Sequence, residues 1–136
     1  MLKILIADDD ARMRQMVRQI LAGLASEVYE AGDGGEAVAV CAAQRPEWVL
    51  MDLRMKPMDG LRAMAEIKTR FPGTHVAVVT QYDEAELRAE AARAGACAYV
   101  LKENLQELPA IVSGSGAPGT CAQGALPLRP DPPKAQ

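Results

Sequence analysis

Four short apolar runs in this chain end in residues that could do chemistry together. Asp8, Asp9 and Asp10 follow Leu2–Ala7, and Asp52 follows Trp48–Met51. Thr80 follows Val76–Val79, and Lys102 follows Ala98–Leu101. Carboxylates held close together repel one another unless a cation joins them. The candidate ligands are oxygens, with no histidine or thiolate among them. Such a donor set suits a hard cation, most simply Mg²⁺. A lysine and a hydroxyl facing that ion would bind the oxygens of a phosphoryl group. One carboxylate is then a candidate nucleophile, forming an aspartyl phosphate. Taken singly, each residue also has an ordinary role. Asp10 can cap a helix starting at Ala11, Asp52 and Thr80 can form turns, and Lys102 can be a solvated lysine. Their joint occurrence is the signal. An anion-binding rim without covalent chemistry is the weaker reading.

These residues need a scaffold that brings four strand ends to one edge. The apolar runs Leu2–Ala7, Glu27–Ala31, Trp48–Met51, Val76–Val79 and Ala98–Leu101 show little polar alternation. That is the pattern of strands covered on both faces, as in a parallel sheet. Helical patterns lie between them. Met13, Met16, Val17, Ile20, Leu21 and Leu24 follow helical spacing closely. Leu61, Met64, Ala65, Lys68 and Phe71 repeat it less cleanly. Leu87, Ala91 and Ala94 follow, then Leu105, Leu108 and Val112. Gly34 to Gln44 is a weaker helix, with Asp33 placed to cap it and Pro46 to end it. Five βα units predict an α/β fold: a doubly wound parallel sheet of flavodoxin-like (βα)5 type, strand order 2-1-3-4-5. Ligands of such sheets bind beyond the carboxyl ends of the strands.

Composition narrows the function. The chain has 136 residues and a net charge of -3, with aromatics at only 4%. This disfavours direct nucleic-acid binding through a basic face or a base-stacking platform. Residues 113–136 hold five of the nine prolines and little hydrophobic periodicity. They are expected to form a flexible tail behind a folded domain at 1–112. Cys41, Cys97 and Cys121 form no CxxC pair. They are expected to be apolar fillers in a reducing cytoplasm. No apolar run reaches the roughly 18–20 residues of a membrane span, and the N-terminus does not read as a signal peptide. A cytoplasmic protein away from membranes is expected.

The stretches KILIADDDARMRQMV, VLMDLRMKPMDG, VAVVTQYD and AGACAYVLK occur in order along residues 1–112. In them the chain resembles the receiver domain of bacterial two-component response regulators. The resemblance implies roles for the matching positions. Asp52 is the expected phosphoacceptor. Asp8 and Asp9 form the acidic pair for Mg²⁺, with Asp9 the direct ligand, and the backbone carbonyl of Arg54 is a further ligand. Thr80 moves to meet the phosphoryl group, and Lys102 holds one of its oxygens. Tyr99 matches the aromatic whose rotation accompanies activation; read locally, it is an interior strand aromatic. The implied donor is a phosphohistidine on a sensor histidine kinase or phosphotransfer protein. The implied response is a changed surface on the fourth helix, fifth strand and fifth helix, open to a downstream target, an output domain or a second copy in a homodimer. Such a domain is a signalling module that promotes its own phosphoryl transfer and dephosphorylation, not a separate enzyme.

The chain departs from the family pattern in places. Lys56 stands where the loop after Asp52 commonly has proline, which follows at Pro57. The lysine is either solvated or near the phosphoryl site. Gln81 replaces a small residue after Thr80, and Tyr82 follows. With Arg54 across the site, these bulky groups are expected to shield the acyl phosphate from water. Glu103 replaces a proline after Lys102, as in receivers that precede helix-turn-helix output domains.

Two other functions compete. A haloacid-dehalogenase-type phosphatase also uses an aspartate nucleophile and Mg²⁺, but needs a second aspartate two residues on; Arg54 stands there. The glycines Gly32, Gly34 and Gly35 fit no nucleotide-binding motif. A degenerate receiver acting only as a binding module is the second alternative. The sequence is equally compatible with a single-domain regulator and with a receiver excised from a longer one.

Overall fold

The computed structural model describes residues 2–53 and 60–113. The strands are β1 (Leu2–Ala7), β2 (Ala25–Ala31), β3 (Trp48–Met51), β4 (His75–Thr80) and β5 (Ala98–Leu101). The helices are α1 (Ala11–Ile20), α2 (Gly34–Gln44), α3 (Gly60–Arg70), α4 (Ala85–Arg93) and α5 (Leu108–Ser113), with a 3₁₀ segment at Lys102–Glu107. The strands form one parallel sheet in the order β2-β1-β3-β4-β5. This is the expected fold.

Successive residues of a strand point to opposite faces, so the continuous apolar runs feed two cores. Leu5, Ala7, Val49, Met51, Val76 and Val78 pack under α2, α3 and α4. Ile4, Ile6, Leu50, Ala77, Val79 and Val100 pack under α1, the 3₁₀ segment and α5. Asp33 caps α2 by accepting from the Glu36 N–H at 2.8 Å. Asp10 caps α1 by accepting from the Arg12 N–H at 2.9 Å.

Several boundaries differ from the sequence reading. β2 starts at Ala25, two residues before the apolar run, because Ala25 pairs with Leu2 across a register shift. α1 ends at Ile20; Val17 is its buried residue, and Leu21, at its C-cap, is buried just beyond it. Met16 and Leu24, expected on its apolar stripe, are exposed. The final helical pattern splits at Asn104, whose backbone is non-helical, and Ser113 belongs to α5. Cys41 is a buried filler, its thiol pushed up to about 11 by burial. Cys97 is likewise buried, in the α1-side core, but its sulfur is disulfide-bonded and not a free thiol. Cys121, the expected tail from Gly114 onward, Arg54 and Lys56 lie outside the described residues. No described helix is long and apolar enough to cross a membrane.

Candidate functional site

The site is built by extending the sheet one rung past its strands. The Asp8 N–H donates to the Ala31 carbonyl at 3.0 Å, and the Asp52 N–H to the Ala7 carbonyl at 2.9 Å. Asp8 and Asp52 thus stand side by side at the ends of β1 and β3. Both are buried, whereas Asp9 is exposed. One carboxylate oxygen from each of Asp8, Asp9 and Asp52 lies within 4.8 Å of the others.

Lys102 reaches in from the end of β5. Its Nζ is 3.0 Å from Asp8 Oδ2 and 3.7 Å from Asp52 Oδ2. Burial alone would lower its pKa. The Asp8 hydrogen bond and the charges of Asp52, Asp8 and Asp9 outweigh burial and hold the ammonium above the ordinary lysine range. Leu105, buried four residues beyond Leu101 among the α1 and α5 side chains, anchors the 3₁₀ segment that starts at Lys102.

Asp9, Asp10, Asp52, Gln81, Tyr82 and Lys102 line an open cleft of about 250 Å³. The structure therefore brings together Asp8, Asp9, Asp52, Lys102, Gln81 and Tyr82. Thr80 ends β4 fully buried, and its hydroxyl accepts from the Tyr82 N–H at 3.4 Å. It is not among the groups lining the cleft. Tyr99 is turned inward, 8% exposed, with its ring in the α4-side core. Its hydroxyl donates to the Tyr82 carbonyl at 2.6 Å.

Three clustered carboxylate oxygens fit a hard divalent cation, and no soft ligand competes within the cluster. Asp9 is the exposed member. Both oxygens of Asp8 are already engaged, Oδ1 by the Asp10 N–H at 2.9 Å and Oδ2 by Lys102. Asp9, the exposed member, is the one open to an ion arriving from solvent. A carboxylate nucleophile, a cation site and an ammonium at one rim can accept and stabilise a phosphoryl group.

Sequence reasoning missed Gly60, Arg14 and Glu30. Gly60 begins α3 against the backbone of Asp52, where any Cβ would lie 2.0 Å from the Asp52 carbonyl oxygen. Arg14 bonds the Asp8 carbonyl and also pairs with Glu30. The only sequence signal for this contact is an arginine one turn after Asp10. Glu30, at the end of β2, gives none.

Fold and site together are those of a doubly wound α/β domain with three clustered carboxylates and a lysine at the carboxyl edge of its sheet. The family model described as "Response regulator receiver domain" matches residues 4–113, and the chain belongs to that family. It is 40% identical over 111 residues to the regulatory protein AtoC of Escherichia coli, covering 81% of this chain and 24% of AtoC. It is 35% identical to the chemotaxis protein CheY of Halobacterium salinarum, covering 74% of this chain and 83% of CheY. A CheY-like receiver domain structure from Methanospirillum hungatei superposes with a TM-score of 0.79 at 26% identity, covering 91% and 96% of the two chains. The chain thus spans about a quarter of AtoC, the relative with the higher identity of the two.

Proposed function

We propose that Asp52 of this receiver accepts a phosphoryl group from a phosphohistidine in a Mg²⁺-dependent reaction. The observation that carries this reading is the Asp8–Asp9–Asp52 cluster with the Lys102 ammonium against two of its members. Asp9 and Asp52 would hold the ion, with Asp8 beside them and the Arg54 carbonyl as a further ligand. Bound Mg²⁺ would neutralise charge on the transferring phosphoryl oxygens. An oxygen of Asp52 attacks phosphorus in line while the bond to the donor histidine breaks. Lys102 meets charge on the phosphoryl oxygens. Gln81 and Tyr82 stand over the cleft and slow the entry of water, so hydrolysis of the acyl phosphate is slow. Lys56 would tune this step if it reaches the phosphoryl site.

The phosphoryl group adds nearly two negative charges at the rim. Thr80 turns from Tyr82 toward it, and Tyr99 moves into the space released. The α4–β5–α5 surface then favours a different partner, which biases an existing equilibrium instead of building a new site. The donor is a sensor histidine kinase or phosphotransfer protein in the cytoplasm. The recipient is a target protein, an output domain or a second copy. Residues 1–113 carry this function, with 114–136 as a tail.

The test is labelling with acetyl phosphate and Mg²⁺. The wild-type chain should become phosphorylated, and Asp52→Asn should not. Label that persists in Asp52→Asn refutes the assignment of the phosphoacceptor. No label in a folded wild-type chain returns the protein to a binding module. Turnover of small phosphate esters would favour a phosphatase.

A further inference from the structure

We infer that Arg14 is a positioning residue for the cation site, and that Glu30 fixes Arg14; this rests on the metal-dependent reading above. Asp8 is held on all sides. Its N–H donates to Ala31, and its carboxylate takes the Asp10 N–H and Lys102. Its carbonyl lies past the last rung of the sheet, and Arg14 Nη1 donates to it. That carbonyl belongs to the peptide unit joining Asp8 to Asp9. A peptide unit is planar, so holding its oxygen fixes the backbone rotation on both sides. One of those rotations sets the direction in which the exposed Asp9 side chain leaves the chain.

The same guanidinium is anchored at its other edge. Arg14 Nε donates to Glu30 Oε1 at 2.9 Å, and the Arg14 side chain is 19% exposed. Glu30 Oε2 takes Arg18, with Nη2 at 2.8 Å and Nε at 2.9 Å. Glu30 therefore sits between two arginines one turn apart on α1. The Arg14 hydrogen bond, followed by the contribution of Arg18, holds its carboxyl below the usual range despite partial burial. Glu30 also offsets the charge of Arg14. Arg14 can then orient the acidic turn with little of the repulsion a bare cation would exert on a metal ion. Arginine suits this task because its planar fork serves two acceptors in fixed directions, which an ammonium cannot do.

The experiment compares wild type, Arg14→Ala, Arg14→Lys and Glu30→Ala as full-length chains. Mg²⁺ affinity is measured calorimetrically, and the Asp9 amide is followed by NMR without metal. Acetyl phosphate labelling is timed across Mg²⁺ concentrations. Arg14→Ala should weaken Mg²⁺ binding about tenfold, in the range seen when groups supporting metal ligands are removed. Its labelling rate at saturating Mg²⁺ should stay within about twofold of wild type, because the reacting groups are intact. Arg14→Lys should keep the charge yet still lose affinity, and the Asp9 amide should shift in both variants. Glu30→Ala, which keeps the Arg14 side chain, should reproduce a partial loss; it serves if Arg14→Ala does not fold. Wild-type Mg²⁺ affinity and an unmoved Asp9 amide in folded Arg14→Lys overturn the inference alone. A wild-type chain that binds no Mg²⁺ overturns the reading of the site and the inference with it.

Discussion

The Tyr99 hydroxyl donates to the Tyr82 carbonyl at 2.6 Å, across 17 positions of sequence. The N–H of Tyr82 donates to the Thr80 hydroxyl at 3.4 Å. The backbone of Tyr82 therefore connects the end of β4 to the inward-facing ring on β5. Arg88 closes the arrangement from α4. Its guanidinium carbon is 4.6 Å from the Tyr99 ring centroid, and its Nε is 2.9 Å from Asp83 Oδ1.

Removing that hydroxyl should loosen the loop. Tyr99→Phe keeps the ring and its Arg88 contact but loses the bond to Tyr82. A cost of about 1 kcal/mol in stability is expected for one hydrogen bond. Hydrogen exchange at the amides of Tyr82 and Asp83 should quicken. Unchanged exchange there would mean that the loop is held by other contacts.

Lys102 and a metal ion would both draw on Asp52, so removing the lysine should have opposite effects on binding and chemistry. In Lys102→Ala the affinity for Mg²⁺ should rise about three- to tenfold, roughly 1 kcal/mol. Labelling by acetyl phosphate should slow about a hundredfold, the usual loss for one charge-stabilising donor. Parallel losses in both measurements would contradict the arrangement.

Gly60 leaves no room beside Asp52. An added Cβ would meet the Asp52 carbonyl oxygen at 2.0 Å and the Leu53 Cα at 2.8 Å. Gly60→Ala must displace backbone, at an expected cost of about 2 kcal/mol. Urea denaturation should show a lower midpoint with an unchanged slope. Phosphorylation should slow as well, because the displaced atoms belong to the phosphoacceptor. A variant with wild-type stability would show that α3 yields easily.

His75 is the chain's single histidine, so its titration is cleanly observed. Burial, assisted by the nearby Lys68 charge, lowers its pKa below 6.5. Its ring also lies 5.0 Å from that of Trp48. The folded state resists the proton more than the unfolded state does. Stability from this group is therefore complete above the unfolded value and falls as pH drops through the window below 6.5. An NMR titration should place the midpoint below 6.5, and His75→Gln should flatten that part of the stability curve. A midpoint at or above 6.5 would reverse the sign.

The strands were legible because a parallel sheet covered on both faces leaves uninterrupted apolar runs. Leu2–Ala7, Trp48–Met51 and Ala98–Leu101 coincide with β1, β3 and β5. The strand-end residues Asp8, Asp52 and Lys102 were legible for the same reason, since topology alone sends them to one edge. Helix ends were harder. Leu24 keeps the spacing of α1 but lies beyond the turn containing Gly23, at φ 90. The partnership of Arg14 with the Asp8 carbonyl was hidden, because a side chain's hold on a distant backbone oxygen has no periodicity. Gly60 was hidden too: its role is the absence of a side chain, visible only when its neighbours are in place.

Within the cluster, three carboxylates against one ammonium leave two formal negative charges, and Asp10 adds another on the cleft wall. This sum imposes an order on events. A phosphoryl donor is itself an anion and meets repulsion at the bare cleft. A divalent cation cancels the cluster's own deficit, whereas a monovalent one leaves half of it. On the proposed reading the cleft admits its donor readily only once its charge has been met. Donor association should therefore be a kinetic gate that opens with divalent ion concentration and that sodium or potassium cannot open in its place.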